Sequence, residues 1–129
     1  MMSRIFILLG CIFAGLSVAL GAFGAHVLRF RLEEYYVDIF QTGVEYQMSH
    51  ALGLILIGII LKYISDSKLV VAGGWLLLLG IFLFSFSLYA ITFTGIRQFG
   101  MIAPFGGTSF VIGWLLLGIG VFIRYRKKE

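Results

Sequence analysis

Four apolar stretches, at about residues 5–25, 43–61, 69–93 and 101–123, take up most of the sequence and leave only short segments between them. At ~1.5 Å rise per residue, each one wound as a helix crosses the ~30 Å hydrocarbon core of a bilayer. Glycines interrupt every stretch, and membrane helices tolerate them because lipid offers the backbone no competing hydrogen-bond partner. Composition points the same way. The chain is 60% hydrophobic and 12% charged, with a mean hydropathy of +1.04, against about 25% charged residues in a soluble domain. So few polar groups cannot cover so much apolar surface in water. The expected fold is an all-α membrane protein, one four-span domain over residues 1–129, with the lipid bilayer as its first partner.

The formal net charge of +4 raises the question of nucleic acid. Position answers it, because Arg124, Arg126, Lys127 and Lys128 directly follow an apolar stretch, as the flank of a last span does. No nucleic-acid partner is expected. Orientation follows from the same residues, since Lys and Arg in short flanks stay on the cytoplasmic side. With four spans, Arg4, Lys62, Lys68 and the C-terminal four share one face, seven positive residues in all, against Arg29, Arg31 and Arg97 on the other. Both termini are therefore expected on the cytoplasmic side.

Cys11 is the sole cysteine, so an internal disulfide is impossible and the redox compartment is not legible. Leu8 to Cys11 resembles a lipoprotein cleavage box, but the apolar residues before it are too few for the ~7–15 residue core of a signal peptide. A cleaved secretory signal is the rival reading of the first stretch. Its apolar core exceeds the usual length, and retention as a span is favoured.

Membrane helices associate by close packing, and small residues mark where their backbones approach. The first span carries Gly10, Ala14, Ser17, Gly21 and Gly24 in steps of three and four, the third Gly73, Gly80 and Ser87, and the fourth Gly106, Gly113 and Gly120. A sevenfold repeat of small residues predicts a left-handed bundle with crossings near 20°. Between the first two spans, Leu32, Tyr35, Tyr36, Ile39 and Phe40 recur with helical spacing opposite Glu33, Glu34 and Asp38. That pattern predicts a short helix lying in the outer interface.

The second span is different. Gly43, Tyr46, Gln47 and His50 share one stripe, with Glu45 and Ser49 beside it. Ionisable groups inside a bilayer face the bundle and find partners. The expectation is one polar cluster in the outer half of the bundle, built on Tyr46, Gln47 and His50, with His26 and Glu45 at its rim.

Residues 21–28 read GAFGAHVL, residues 42–47 read TGVEYQ and are followed by His50, residues 84–89 read FSFSLY, and residues 103–114 read APFGGTSFVIGW. Over nearly its whole length the chain resembles the YgdD-type family of small bacterial inner-membrane proteins. The resemblance implies four spans in the cytoplasmic membrane. It implies no activity and hence no catalytic or ligand residues.

Three chemistries compete for the polar residues. His26 and His50 suit haem or metal, but they lie at depths roughly 10 Å apart by helix rise, and no carboxylate or cysteine cluster completes a metal site. Neither a metal nor a cofactor is expected. Ser85, Ser87 and Ser109 have no histidine at readable spacing and such hydroxyls commonly bond back to their own helix, so an enzyme is not expected either. Transport of a small solute or ion remains an alternative, through a pocket around His50 and with Pro104 to Gly107 as broken helix, in an oligomer. Against the last point, Pro104 stands in the first turn of the fourth span, where its missing N–H costs nothing. The leading reading is a non-catalytic membrane component that packs with other membrane proteins or with itself. The charge count makes a first prediction: a C-terminal reporter active only outside the cytoplasm should be silent, and its activity would reverse the orientation.

Overall fold

In a computed structural model, residues 1–64 and 67–126 are described. Lys127 and Lys128 of the C-terminal basic run lie outside the described residues. Helix α1 runs Met2–His26 and α2 runs Glu34–Tyr63, joined through a 3-10 turn at Leu28–Phe30. The third stretch is divided into α3 (Lys68–Gly80), a π-helical turn (Ile81–Ser85) and α4 (Phe86–Thr94). A 3-10 turn at Arg97–Met101 leads into α5 (Ala103–Arg126). The described residues are helical with short connections, and four helical stretches are long and apolar enough to cross a membrane.

Local chemistry sets the boundaries. The Ser67 hydroxyl accepts from the Val70 N–H at 3.5 Å and caps α3. Gly95, at φ +71°, ends α4 in the left-handed conformation that glycine adopts without cost, and its N–H donates to the Ile91 carbonyl at 2.8 Å. Pro104 is the second residue of α5, as expected. One boundary differs from expectation. The segment read as a separate short helix between the first two spans is instead the N-terminal part of α2, continuous from Glu34 into the apolar run. Its amphipathic pattern has a cause in packing: Phe40 and Val44 bury with Leu28 against Leu20, Leu32, Val37 and Tyr89.

Helix α2 is the centre of the fold, with half of its most apolar window buried, against 22% for α1 and 33% for the last stretch. Helix α1 lies antiparallel along one side of α2, while α3 and α5 form a second antiparallel pair. Between them the main core gathers Phe6, Phe13, Leu54, Ile57, Leu77, Ile81 and Phe110.

Glycines let the paired backbones touch. A Cβ on Gly10 would stand 2.7 Å from the Ala51 carbonyl oxygen, and one on Gly58 2.7 Å from that of Ser3. The Ser3 hydroxyl in turn donates to the Gly58 carbonyl at 2.6 Å. In the other pair, Gly73 and Gly113 face each other, each Cβ position within 3.0 Å of the other's carbonyl. Gly106 abuts the Phe84 backbone and Gly80 the Phe110 ring, and a Cβ on Gly120 would lie 2.8 Å from Val70.

The predicted stripes hold unevenly. A Cβ on Gly24 would stand 3.1 Å from Phe40, but one on Gly21 would meet only Val44 at 3.6 Å, an ordinary contact that leaves room for a methyl group. The expectation that Gly21 sits too close for a side chain is therefore corrected. The cause is that side chains of α2, Val44 and Phe40, stand opposite Gly21 and Gly24, where backbone atoms of α2 stand opposite Gly10. Ala14 is half-buried. Ser17 and Ser87 are buried and bond back to the Phe13 and Phe84 carbonyls at 2.9 and 2.7 Å.

Gly58→Ala should lower stability by about 1–3 kcal/mol, the usual cost of overpacking, because Ser3 and Ile7 meet it with backbone atoms. Gly118→Ala, where nothing lies within 4 Å, should leave stability unchanged or raise it slightly through better helix propensity. Thermal unfolding in mild detergent reads both.

Candidate functional site: a buried polar knot and a charged cleft

Gln47 is fully buried at 0% exposure, in a face of α2 that meets α1 and α4. Its Nε2 donates to the Phe13 carbonyl at 2.9 Å, and its Oε1 accepts from the Tyr89 hydroxyl at 2.9 Å. The Phe13 carbonyl only accepts, which fixes the orientation of the amide. The same carbonyl also receives the Ser17 hydroxyl at 2.9 Å. One side chain thus ties three helices with two hydrogen bonds. Gly43 makes the arrangement possible, since a Cβ there would stand 2.7 Å from the Tyr89 ring.

The π-helical turn lies beside this knot. Its extra residue routes the Phe86 N–H to the Ile81 carbonyl, five residues back. Ser85, which closes the turn, is completely buried, and its hydroxyl has no hydrogen-bond partner within the described residues. Its carbonyl faces Gly43, 3.3 Å from the Cβ position.

His50 points elsewhere. Its ring lies flat on Phe110, with centroids 3.4 Å apart and planes 13° from parallel, and the Tyr46 ring stands beside both, 5.9 Å from His50 and 6.1 Å from Phe110. Nδ1 reaches the Tyr46 carbonyl at 2.6 Å; since a carbonyl only accepts, Nδ1 carries a proton. Trp114 closes the surroundings at 6.1 Å. Tyr46 is 43% exposed, resting on Phe84 at 4.4 Å.

The five residues expected as one cluster therefore divide. Tyr46 and His50 stack in an aromatic group against α5, and Gln47 turns toward α1 and α4. The reason is angular: residues three apart on a helix differ by about 60° around its axis, enough to give Gln47 and His50 different neighbours. His26 and Glu45 are exposed, and Glu45 accepts from Gln41 at 3.4 Å. Sequence reasoning missed Tyr89 and Ser85 as members of the site. Tyr89 carried a signal, being a hydroxyl-bearing ring in an apolar span, where such a group needs a partner. Nothing in the sequence marks the π-turn that aims it.

A second feature lies at the end of the fold where α1 passes to α2. A cleft of about 490 Å³ is walled by Gly24, Ala25, Leu32 and Val37, with Arg29, Glu34, Asp38 and Gln41 at its rim. Nearby, the Arg97 guanidinium sits 5.0 Å from the centre of the Tyr35 ring, and the Thr92 hydroxyl lies between the Leu88 carbonyl of its own helix at 3.0 Å and the Tyr36 carbonyl at 3.2 Å. The end of α4 and the start of its connection to α5 thereby meet the start of α2.

Residues 20–107 match the family described as protein of unknown function, DUF423. The chain is 44% identical over 122 residues to the UPF0382 membrane protein YwdK of Bacillus subtilis, covering 95% of this chain and 98% of that one. It is 46% identical over 119 residues to the UPF0382 membrane protein SH2409 of Staphylococcus haemolyticus, covering 92% and 96%. The same identity over 119 residues relates it to the UPF0382 membrane protein SSP2132 of Staphylococcus saprophyticus, covering 92% and 98%. No solved structure matches the chain.

The geometry of the knot predicts coupling. Tyr89→Phe should cost about 0.5–1.5 kcal/mol, the range for one hydrogen bond. In a Gln47→Leu background the same change should cost close to nothing. Additive losses in this double-mutant cycle, read by unfolding in detergent, would show that the two side chains do not interact.

Proposed function

Because the chain belongs to the DUF423 family and is a relative of the UPF0382 membrane proteins, we propose that it is a non-catalytic, multi-pass component of the bacterial cytoplasmic membrane. Both termini face the cytoplasm, and the family is the one described above as YgdD-type. The bundle crosses left-handed, the first turns of α2 lie at the outer interface, and the lipid-facing helices pack with other membrane proteins or a second copy. The charge count and the sevenfold glycine spacing support these details.

One observation carries the non-catalytic reading. Gln47, the most deeply buried polar side chain of the second span, engages both ends of its amide within its own bundle, with Phe13 and Tyr89. Its hydrogen bonds hold helices together. A buried group committed in this way supports a scaffold role better than a role in binding a passing solute.

A second reading, small-solute or ion permeation past His50, has its own support. The unpartnered Ser85 hydroxyl and the π-turn lie on the same third stretch that packs against α2, and π-turns inside helices frequently mark functional positions. His50→Ala separates the two. On the scaffold reading the variant loses protein level first, and any phenotype falls in proportion to it. A variant present at full level that has lost the rescuing activity of the intact gene would overturn the scaffold reading in favour of permeation.

A further inference from the structure

We propose that the cleft between α1 and α2 binds the phosphoethanolamine head group of a zwitterionic membrane phospholipid. This inference rests on the chain being a membrane protein and is independent of what the polar knot does. Depth comes first. Counting ~1.5 Å per residue from Ile5, a ~30 Å hydrocarbon core ends near Gly24 and Ala25; counted from Leu61 along α2, it ends near Gln41. Asp38 and Glu34 then stand about 5 and 10 Å above it, at and just beyond the depth of the head groups. The floor of the cleft thus borders acyl chains and its rim borders polar heads.

Charge then selects the head. Arg29 and the carboxylates of Glu34 and Asp38 line one cavity of about 490 Å³. Among the described residues, their side chains make no hydrogen bond or ion pair with one another. Opposite charges that line one cavity without pairing suit a molecule that carries both signs. The planar guanidinium recognises a phosphate through paired N–H donors, and a primary ammonium offers three donors to the carboxylates. A glycerol head brings a phosphate with no cation to a rim whose net charge is −1, from one Arg against Glu34 and Asp38. A choline head has no N–H to donate, and quaternary ammonium groups are held by aromatic cages. None of the residues lining this cleft is aromatic.

The test is native mass spectrometry of the full chain released from micelles holding equal amounts of phosphatidylethanolamine, phosphatidylglycerol and phosphatidylcholine. The ethanolamine lipid should be retained about tenfold over the other two, a difference of ~1.4 kcal/mol. Arg29→Gln and Asp38→Asn, both at exposed positions, should each remove that preference, whereas Arg97→Gln, at the same end but outside the cleft, should keep it. Equal retention of the three lipids by the unaltered protein would overturn the proposal, with no variant needed. So would a preference that survives both cleft substitutions. Free phosphoethanolamine displacing the lipid at equal concentration would overturn the lipid as its source.

Discussion

Lipid cannot hydrogen-bond, and the polar interior of this bundle depends on that fact. A glutamine amide has two donors and an acceptor that water would satisfy anywhere on a soluble surface; in hydrocarbon, leaving them unmade costs several kcal/mol. Gln47 finds both kinds of partner only where α1 and α4 stand at the right height beside α2. The Phe13 carbonyl, already accepting from Ser17, and the Tyr89 hydroxyl supply them. The knot therefore specifies a relative position of three helices that apolar packing alone leaves loosely determined. Measured interhelical hydrogen bonds in membranes average well under 1 kcal/mol, so the contribution lies more in register than in strength.

Close approach is the complementary device. The hydrophobic effect does not distinguish a leucine against lipid from a leucine against leucine, so affinity between spans comes from the fit of backbone to backbone. The two helix pairs solve this with the same residue type at different places. On α1 and α2 the contacts pass through Gly10 and Gly58, and on α3 and α5 through Gly73 and Gly113. Helix α2 then joins the pairs, a Cβ on Gly53 falling about 3.0 Å from Leu77 and the Trp114 ring, and α3 meets α1 directly where Gly74 admits the Phe6 ring.

Much of this was legible in the sequence because period and length are one-dimensional signals. Four spans, the glycine seams of the third and fourth, and the burial of Gln47 and His50 follow from spacing and hydropathy. What escaped was set by neighbours that spacing does not reveal. The seam residues Gly58 and Gly74 look like any other glycine in an apolar run. Gly21 continues a perfect stripe and yet meets only the Val44 side chain, because what stands opposite a seam position is a property of the pair. The split between His50 and Gln47 depends on which helix flanks which side of α2, and one span's sequence does not carry that information. The continuity of Glu34–Tyr63 was hidden by its change from amphipathic to apolar pattern at Gly43, which marks a change of surroundings and not a break in the helix.

The π-turn at Ile81–Ser85 inserts one residue into a helical stretch that otherwise runs without interruption. Each residue turns a helix by about 100°, so the halves before and after it are out of phase. The half before the turn presents Gly73 to α5 and Leu77 to Gly53 of α2, while the half after it presents Tyr89 and Thr92 to α2. A uniform α-helix with one residue removed from the turn would leave the hydropathy of the flanking residues unchanged and point the Tyr89 hydroxyl about a quarter-turn away from Gln47. The third stretch thus meets α2 with two different faces, joined without a loop. The single inserted residue is the phase shift that lets one span keep α5 against Gly73 before the turn and aim Tyr89 at Gln47 after it.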